Sequence, residues 1–267
     1  MEERIREWLG ETHFIGRRLH CFPVLDSTNT YLKALAMDGG ENGTVIIAEH
    51  QTAGRGRMER RFQSPDGKGL YLSVLLRPEV PSERLPCVTA LAGVAVCDAV
   101  EDLCGEGPGL KWPNDPVLHG KKLAGILTEL VVDEDGQLAV VLGIGINVHQ
   151  GMEDFSSDVA EFATSLELEG FTAVSRAELA AVLLRRLEEM YFALLEDDLH
   201  PWLAAYRQDC VNLGKVVQLI QPDGSRETAV ARDIDADFGL VVETVDGVAQ
   251  TVRTGEVSVR GLYGYVE

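Results

Sequence analysis

The sequence predicts an α+β protein: a catalytic-sized domain of mixed strands and helices over residues 1–212, then a small all-β domain over 213–267. Three observations carry this. Apolar residues at 85, 88, 92, 95, 96, 99 and 103 recur with the period of a helix. Aliphatic and β-branched runs at 44–49, 70–76 and 138–146 are short, as strands are, and lie near glycine or aspartate turns. From Gly214 the texture changes to brief strands between glycine turns at Asp223-Gly224, Gly239 and Asp246-Gly247, a spacing that suggests a small barrel of about 50 residues.

The elements follow in order. Ile5, Trp8 and Leu9 mark a short amphipathic turn at 4–9. A strand over 18–25 leads to Asp26 or Ser27 as the N-cap of a helix reaching about Met37, closed by Gly39-Gly40. Between the strands at 44–49 and 70–76 lies 51–68, rich in Gly and Arg and too polar for a core. The helical stripe of 82–103 precedes strands at about 109–112, 122–131 and 138–146, and Asp133–Gly136 joins the last two as a hairpin turn. Residues 151–169 read as a loop leading into a helix, and 176–209 as a long amphipathic helical region interrupted at Pro201.

Composition bounds the function. Apolar residues at 45% and charged residues at 25% are an ordinary globular mix. The longest apolar run, 138–146, is about half of the ~18 residues a membrane span needs. No apolar stretch follows Met1–Arg6 as a signal peptide requires, so a soluble, cytoplasmic protein is expected. A net charge of −19 repels a phosphate backbone, which excludes nucleic acid as the main partner. Five cysteines without C-x-x-C fit buried, reduced thiols, and the six histidines lack metal-ligand spacing.

Against that acidic background Gly54-Arg55-Gly56-Arg57, continued by Arg60 and Arg61, is a concentrated positive island. Its glycines let backbone approach a ligand and its guanidiniums suit phosphate or carboxylate oxygens; the bland alternative is a solvated turn. No G-K-[ST] ends it, so it is not a P-loop. Lys111-Trp112-Pro113-Asn114-Asp115 closes a strand with a carboxylate fit for Mg²⁺ or a ribose hydroxyl, or is simply a turn with a packed Trp. Lys122 with Ala124 and Gly125 could set an ammonium beside an extended ligand, or be an edge charge. Gly143-Ile144-Gly145-Ile146-Asn147 leaves space on a strand for a flat group. Asp26-Ser27-Thr28-Asn29 by itself could be only a capped helix start.

Together, D-S-T-N, Q-T-A-G-R-G-R, K-W-P-N-D, K-L-A-G-I-L-T-E and G-I-G-I-N-V, in this order over about 120 residues, closely resemble the bacterial biotin–protein ligases. The likeness extends through Glu161–Leu166 to Gly255–Arg260. The resemblance implies a class II synthetase-like fold, a central mixed sheet flanked by helices, with an SH3-like C-terminal barrel. It implies adenylation of biotin by Mg-ATP, then transfer of the biotinyl group to a lysine of a biotin carboxyl carrier domain. Implied biotin contacts are Ser27, Thr28, Asn29, Gln51, Gly54, Arg55, Gly56, Arg57, Lys122 and Gly125. Implied ATP contacts are Arg57, Arg60, Lys111, Asn114, Asp115, Gly143, Asn147 and Arg260, with Arg55, Lys111 and Lys122 catalytic and Asp115 on the metal side.

Many relatives carry about 60 further N-terminal residues that bind DNA; here D-S-T-N begins at Asp26, so a ligase without repressor function is expected. Met58-Glu59 departs from the more basic or Gly-rich loop of many relatives. Homodimerisation through sheet edges is common in the family. A lipoate–protein ligase and a non-enzymatic biotinyl-adenylate sensor are the competing readings; D-S-T-N with Gln51 supplies the polar head pocket that lipoate does not need, and the intact Arg loop and Lys122 argue against a sensor.

Overall fold

The computed structural model describes residues 1–221, 224–253 and 258–261, with backbone alone at residue 59 and at 258–261. The chain runs α1 (Glu2–Leu9), β1 (Leu19–Leu25), α2 (Thr28–Met37), β2 (Val45–Gln51), β3 (Leu70–Leu76), α3 (Cys87–Cys104), β4 (Gly109–Lys111), β5 (Asp115–Leu118), β6 (Lys121–Lys122), β7 (Ala124–Val132) and β8 (Leu138–Ile146). Then come α4 (Arg176–Glu196), α5 (His200–Asp209), β9 (Val216–Ile220), β10 (Arg226–Ile234), β11 (Leu240–Thr244), β12 (Ala249–Val252) and β13 (Ser258–Gly261).

The central sheet has the order β1-β2-β3-β8-β7. β1 and β2 are parallel and the other pairs antiparallel, so the sheet is mixed, as expected. Strand alternation decides which face does what. Val45 and Ile47, Leu72 and Val74, and Leu142 and Ile144 point into the large core beneath α3 and α4, with Ile5 and Leu9 of α1. Ile46, Leu75, Val131, Ala139 and Val141 point the other way, onto Leu32 and Ala36 of α2. Continuing the same alternation along β8 and β7 puts Gly143, Gly145, Gly125 and Glu129 on the α2 face. That is the face that carries the site.

The C-terminal strands form an antiparallel sheet ordered β12-β11-β10-β9-β13, bulged between Ala231 and Asp233. Its inner row, including Val217, Leu219, Ala231 and Val242, joins the same large core. The indole of Trp112 donates to the Phe238 carbonyl at 3.0 Å, and Phe238 meets Tyr206 edge-on. Among the described residues β12 and β13 do not pair, so this sheet is open rather than the closed barrel expected. The Asp223 turn residue and residues 254–257 of the C-terminal motif lie outside the described residues.

Several element bounds also differ, each for a local reason. The turn at 4–9 is a full helix starting at Glu2. The stripe of 82–103 splits into a 3₁₀ turn, Ser82–Arg84, and α3, because Pro86 has no N–H for a continuous helix and serves instead as the α3 N-cap. The strand at 122–131 is broken at Leu123, whose N–H goes to the Pro116 carbonyl and whose carbonyl accepts from Asn147. β5, which sequence reading missed, supplies that partner. The break before Pro201 falls at Asp197, in left-handed backbone (φ 55°), and Pro201 sits inside the first turn of α5. Residues 155–175 are turns rather than a loop entering a helix; α4 starts only at Arg176, capped by Ser175.

Candidate active site

A cavity of about 790 Å³ opens on the α2 face, between the N-terminus of α2, the glycine floor of β7 and β8, the arginine loop and the segment 155–163. Its volume is within the range of small-molecule sites. Of the site residues named from sequence, all line it except Gly54 and Arg260. Gly54 stands behind the wall: an added Cβ would meet the Phe62 carbonyl oxygen at 2.4 Å and Ser64 Oγ at 2.8 Å, so glycine is needed for the loop to fold back. The backbone of Arg260 pairs with Gln218, which does line the cavity; the side chain of Arg260 lies outside the described residues.

One end is closely hydrogen-bonded, by amides and hydroxyls and the carboxylate of Glu129. Ser27 caps α2, accepting from the Thr30 N–H. Gln51 Oε1 accepts from the Thr28 backbone N–H at 2.9 Å and lies 3.2 Å from its hydroxyl, while Gln51 Nε2 donates to Ser64 Oγ at 2.9 Å. Ser73 Oγ donates to Asn29 Oδ1 at 2.6 Å and lies 2.7 Å from the Thr28 hydroxyl. Asn29 Nδ2 donates to Glu129 at 2.9 Å. A Cβ on Gly143 would come within 2.1 Å of Asn29 Oδ1. Gly143 therefore makes room for a protein amide. Gly145 makes room for Phe62, whose ring a Cβ there would meet at 2.6 Å, and the same ring covers Gly125.

The other end is cationic. Arg55, Arg57, Arg60, Arg61, Lys111 and Lys122 all reach this cavity. The loop is a tight hairpin: Arg55 bridges Arg61, the Gly56 N–H donates to the Arg60 carbonyl at 2.7 Å, and Met58 takes positive φ (54°) at its turn. The 3₁₀ turn that begins at Arg57 ends the extended run of Arg55 and Gly56, so the two arginines reach different partners. Arg55, the more exposed, meets Glu129 at 3.2 Å. Arg57 turns inward and donates to Asn114 Oδ1 at 3.0 Å, and Asn114 is fixed in turn by donating to the Ile126 carbonyl at 2.8 Å. Burial lowers the Arg57 pKa below its ordinary value, with nearby Asp115 opposing; a guanidinium keeps its charge regardless. A half-buried cation whose guanidinium faces the cavity can receive an anionic ligand.

Lys122 Nζ donates to Asp115 Oδ1 at 2.6 Å across the β5–β6 hairpin. The backbone of Lys122 is held as firmly: its N–H donates to the Phe162 carbonyl at 2.7 Å and its carbonyl accepts from Thr164 at 2.9 Å. Lys111 is buried beside Trp112, whose N–H donates to Asn212 Oδ1 at 2.7 Å. Asn147 uses both ends of its amide internally, donating to the Thr164 carbonyl at 2.9 Å and accepting from Gln150 at 3.0 Å.

Sequence reading assigned no role to part of this wall, namely Phe62, Gln63, residues 155–163 and Gln218 and Arg226 from the C-terminal sheet, nor to Glu129, the partner of Asn29. Ser73 carried a signal, being the one small polar residue in the apolar run of β3. Within 155–163, residues 161–163 carried a signal as part of the Glu161–Leu166 likeness, whereas the mixed residues 155–160 show no period.

The family model of the biotin/lipoate A/B protein ligase family matches residues 21–147. The chain is 40% identical over 262 residues to the biotin–[acetyl-CoA-carboxylase] ligase of Mycobacterium tuberculosis, covering 96% of this chain and 94% of that protein. It is 35% identical to the bifunctional ligase/repressor BirA of Bacillus subtilis over 247 residues, 92% of this chain and 75% of that one. The biotin protein ligase from Aquifex aeolicus, solved in complex with biotin and ATP, superposes with a TM-score of 0.81 at 29% identity, over 92% of this chain and 99% of that one. The chain belongs to the biotin/lipoate A/B protein ligase family. Within it, the Mycobacterium tuberculosis and Aquifex aeolicus relatives are biotin ligases.

Proposed function

We propose that this protein is an ATP-dependent biotin–protein ligase that forms biotinyl-5′-AMP and then biotinylates a lysine of a biotin carboxyl carrier domain. One observation supports this above others: in a chain of net charge −19, five arginines and two lysines line one cavity together with an amide and hydroxyl network from Thr28, Asn29 and Gln51. Such a site suits a ligand with a polar neutral head and a carboxylate, met by a polyphosphate.

In the first step the biotin carboxylate oxygen attacks the α-phosphorus of ATP, the bond to the β-phosphate oxygen breaks, and pyrophosphate leaves. Two anions must approach, so fixed cations have to offset their repulsion and meet the charge that develops at phosphorus. We assign Ser27, Thr28, Asn29 and Gln51 to the ureido head, since a buried polar head needs partners. Gly54, Gly56 and Gly125 shape the floor and loop around biotin, with Gly143 acting through Asn29. Arg55, Arg57 and Lys122 act at the carboxylate and α-phosphate. Arg57, Arg60, Lys111, Asn114, Asp115 and, at the C-terminal side, Arg260 act on the nucleotide; Asn147 holds the wall there. The inward turn of Arg57 makes it the stronger candidate of the first two arginines for the reacting phosphate.

Among the described residues no three His, Cys, Asp or Glu side chains gather as a metal site. Asp115 fits Mg²⁺ brought in on ATP, because a carboxylate oxygen is the hard donor that ion takes and phosphates supply the rest. When bound, the ion would neutralise phosphate charge. In the second step the neutral acceptor amine attacks the acyl carbon, the mixed anhydride breaks and AMP leaves. The arginine hairpin and the segment 155–163 exclude water from the anhydride meanwhile. We assign the reaction to the cytoplasm; among the described residues no helix is long and apolar enough to cross a membrane. Dimerisation would use the β7 edge, where Leu130 and Val132 are exposed.

The test incubates the protein with Mg-ATP, a carrier domain and either biotin or lipoate. Pyrophosphate release and a carrier mass gain of biotin less water are expected with biotin. A gain with lipoate alone, or tight biotin binding with no transfer, would overturn the assignment.

A further inference from the structure

We infer that Glu129, on β7, is the positioning residue that anchors the arginine hairpin and ties it to the head of the pocket; the ligand side of this inference rests on the function proposed above. The Glu129 carboxylate is mostly buried and meets three groups from two other elements. Lys33 of α2 lies 2.9 Å from Oε1, Arg55 of the hairpin 3.2 Å from Oε1, and Asn29 Nδ2 donates to Oε2 at 2.9 Å. Burial raises the pKa of this carboxyl, but hydrogen bonds from Asn29 and Lys33 and the charge of Arg55 outweigh it, so it stays ionised.

Two consequences follow. The carboxylate can only accept, so it draws the Asn29 NH₂ toward itself and leaves Oδ1 for Ser73, fixing which way the amide faces. It also pins the exposed arm of the hairpin to the sheet, while Arg57 secures the inner arm on Asn114. Losing the outer pin frees the hairpin to swing on its glycines.

The test uses trypsin on the full-length protein without ligands, reading the rate of cleavage within 55–61 beside the melting temperature. Glu129→Gln keeps an oxygen for Asn29 but removes the charge. It is expected to speed nicking roughly three- to tenfold, the scale of a partly exposed charge-assisted contact, with the melting temperature little changed. Arg57 and Arg60 remain as cleavage sites in Arg55→Ala, so the double variant should nick no faster than Arg55→Ala alone. Nicking at the wild-type rate in Glu129→Gln, or effects of the two substitutions that multiply, would overturn the inference. With biotin and ATP, the same variant should release the acyl-adenylate faster by a similar factor. A wild-type protein that makes no adenylate would defeat the proposed function, whereas the nicking result judges Glu129 by itself.

Discussion

Gly143 and Lys122 show how single atoms set this site. The α-hydrogen of Gly143 is all that fits against Asn29 Oδ1, so Gly143→Ala must push the amide off its partners Leu127, Glu129 and Ser73. Biotin affinity by calorimetry should fall by at least about tenfold, the ~1.4 kcal/mol or more of an unsatisfied buried polar group. Unchanged affinity would remove Asn29 from the head pocket. Lys122→Ala should slow pyrophosphate release about 10²–10³-fold, as for loss of one fixed donor at a developing charge, with folding intact by circular dichroism. Near-normal release would reject its assigned role. Gly143 was legible because a glycine in an aliphatic strand breaks its pattern, and Lys122 because it opens the K-L-A-G motif. The division of labour between Arg55 and Arg57 was not, because the partners that divide them, Glu129 of β7 and Asn114 of the β4–β5 turn, are distant in sequence.

Among the elements, the β5–β6 hairpin carries Asp115 and Lys122 at its base and His119 at its turn. His119 faces Glu169 from Nδ1 at 2.5 Å and Glu106 from Nε2 at 2.9 Å, and Glu169 also accepts from Thr164, with Lys121 as the further nearby charge. Hydrogen bonds to Glu169 and then Glu106 raise the His119 pKa above its ordinary 6.5. A raised folded value means that the imidazolium stabilises the fold fully below that ordinary pH and loses its effect as pH climbs through the raised one. The pair is exposed, so its worth is under about 1 kcal/mol. The difference in melting temperature between wild type and His119→Gln should therefore shrink as pH rises from about 6 to about 9; a difference that grows would contradict this. Nothing in the sequence pointed to the hairpin, because a two-residue β6 is fixed by pairing with β5 and by the bonds of Lys122 to 162–164. Longer elements were legible: β3 and β8 as short apolar runs, buried on both faces, and α2 from its Ser27 cap.

At the scale of the whole molecule, the two sheets share one apolar core around Trp112, Tyr206 and Phe238. Trp112→Ala should cost about 3–5 kcal/mol by the loss of a fully buried aromatic side chain, read from denaturant unfolding, and should loosen both sheets together. Separate transitions for the two sheets, or a loss under ~1 kcal/mol, would contradict a shared core. The change in texture at Gly214 was legible, but the continuity of the core was not, because strands of both sheets are equally apolar on their inner faces. In the proposed reaction the inward arginine of the hairpin and the ammonium of β6 meet one phosphate. A crystal structure with biotinyl-5′-AMP tests this most directly: the α-phosphate should lie within hydrogen-bonding distance of both Arg57 and Lys122, with the ureido ring against Ser27–Asn29. A phosphate bound away from both cations, or a ring at the opposite end of the cavity, would contradict it.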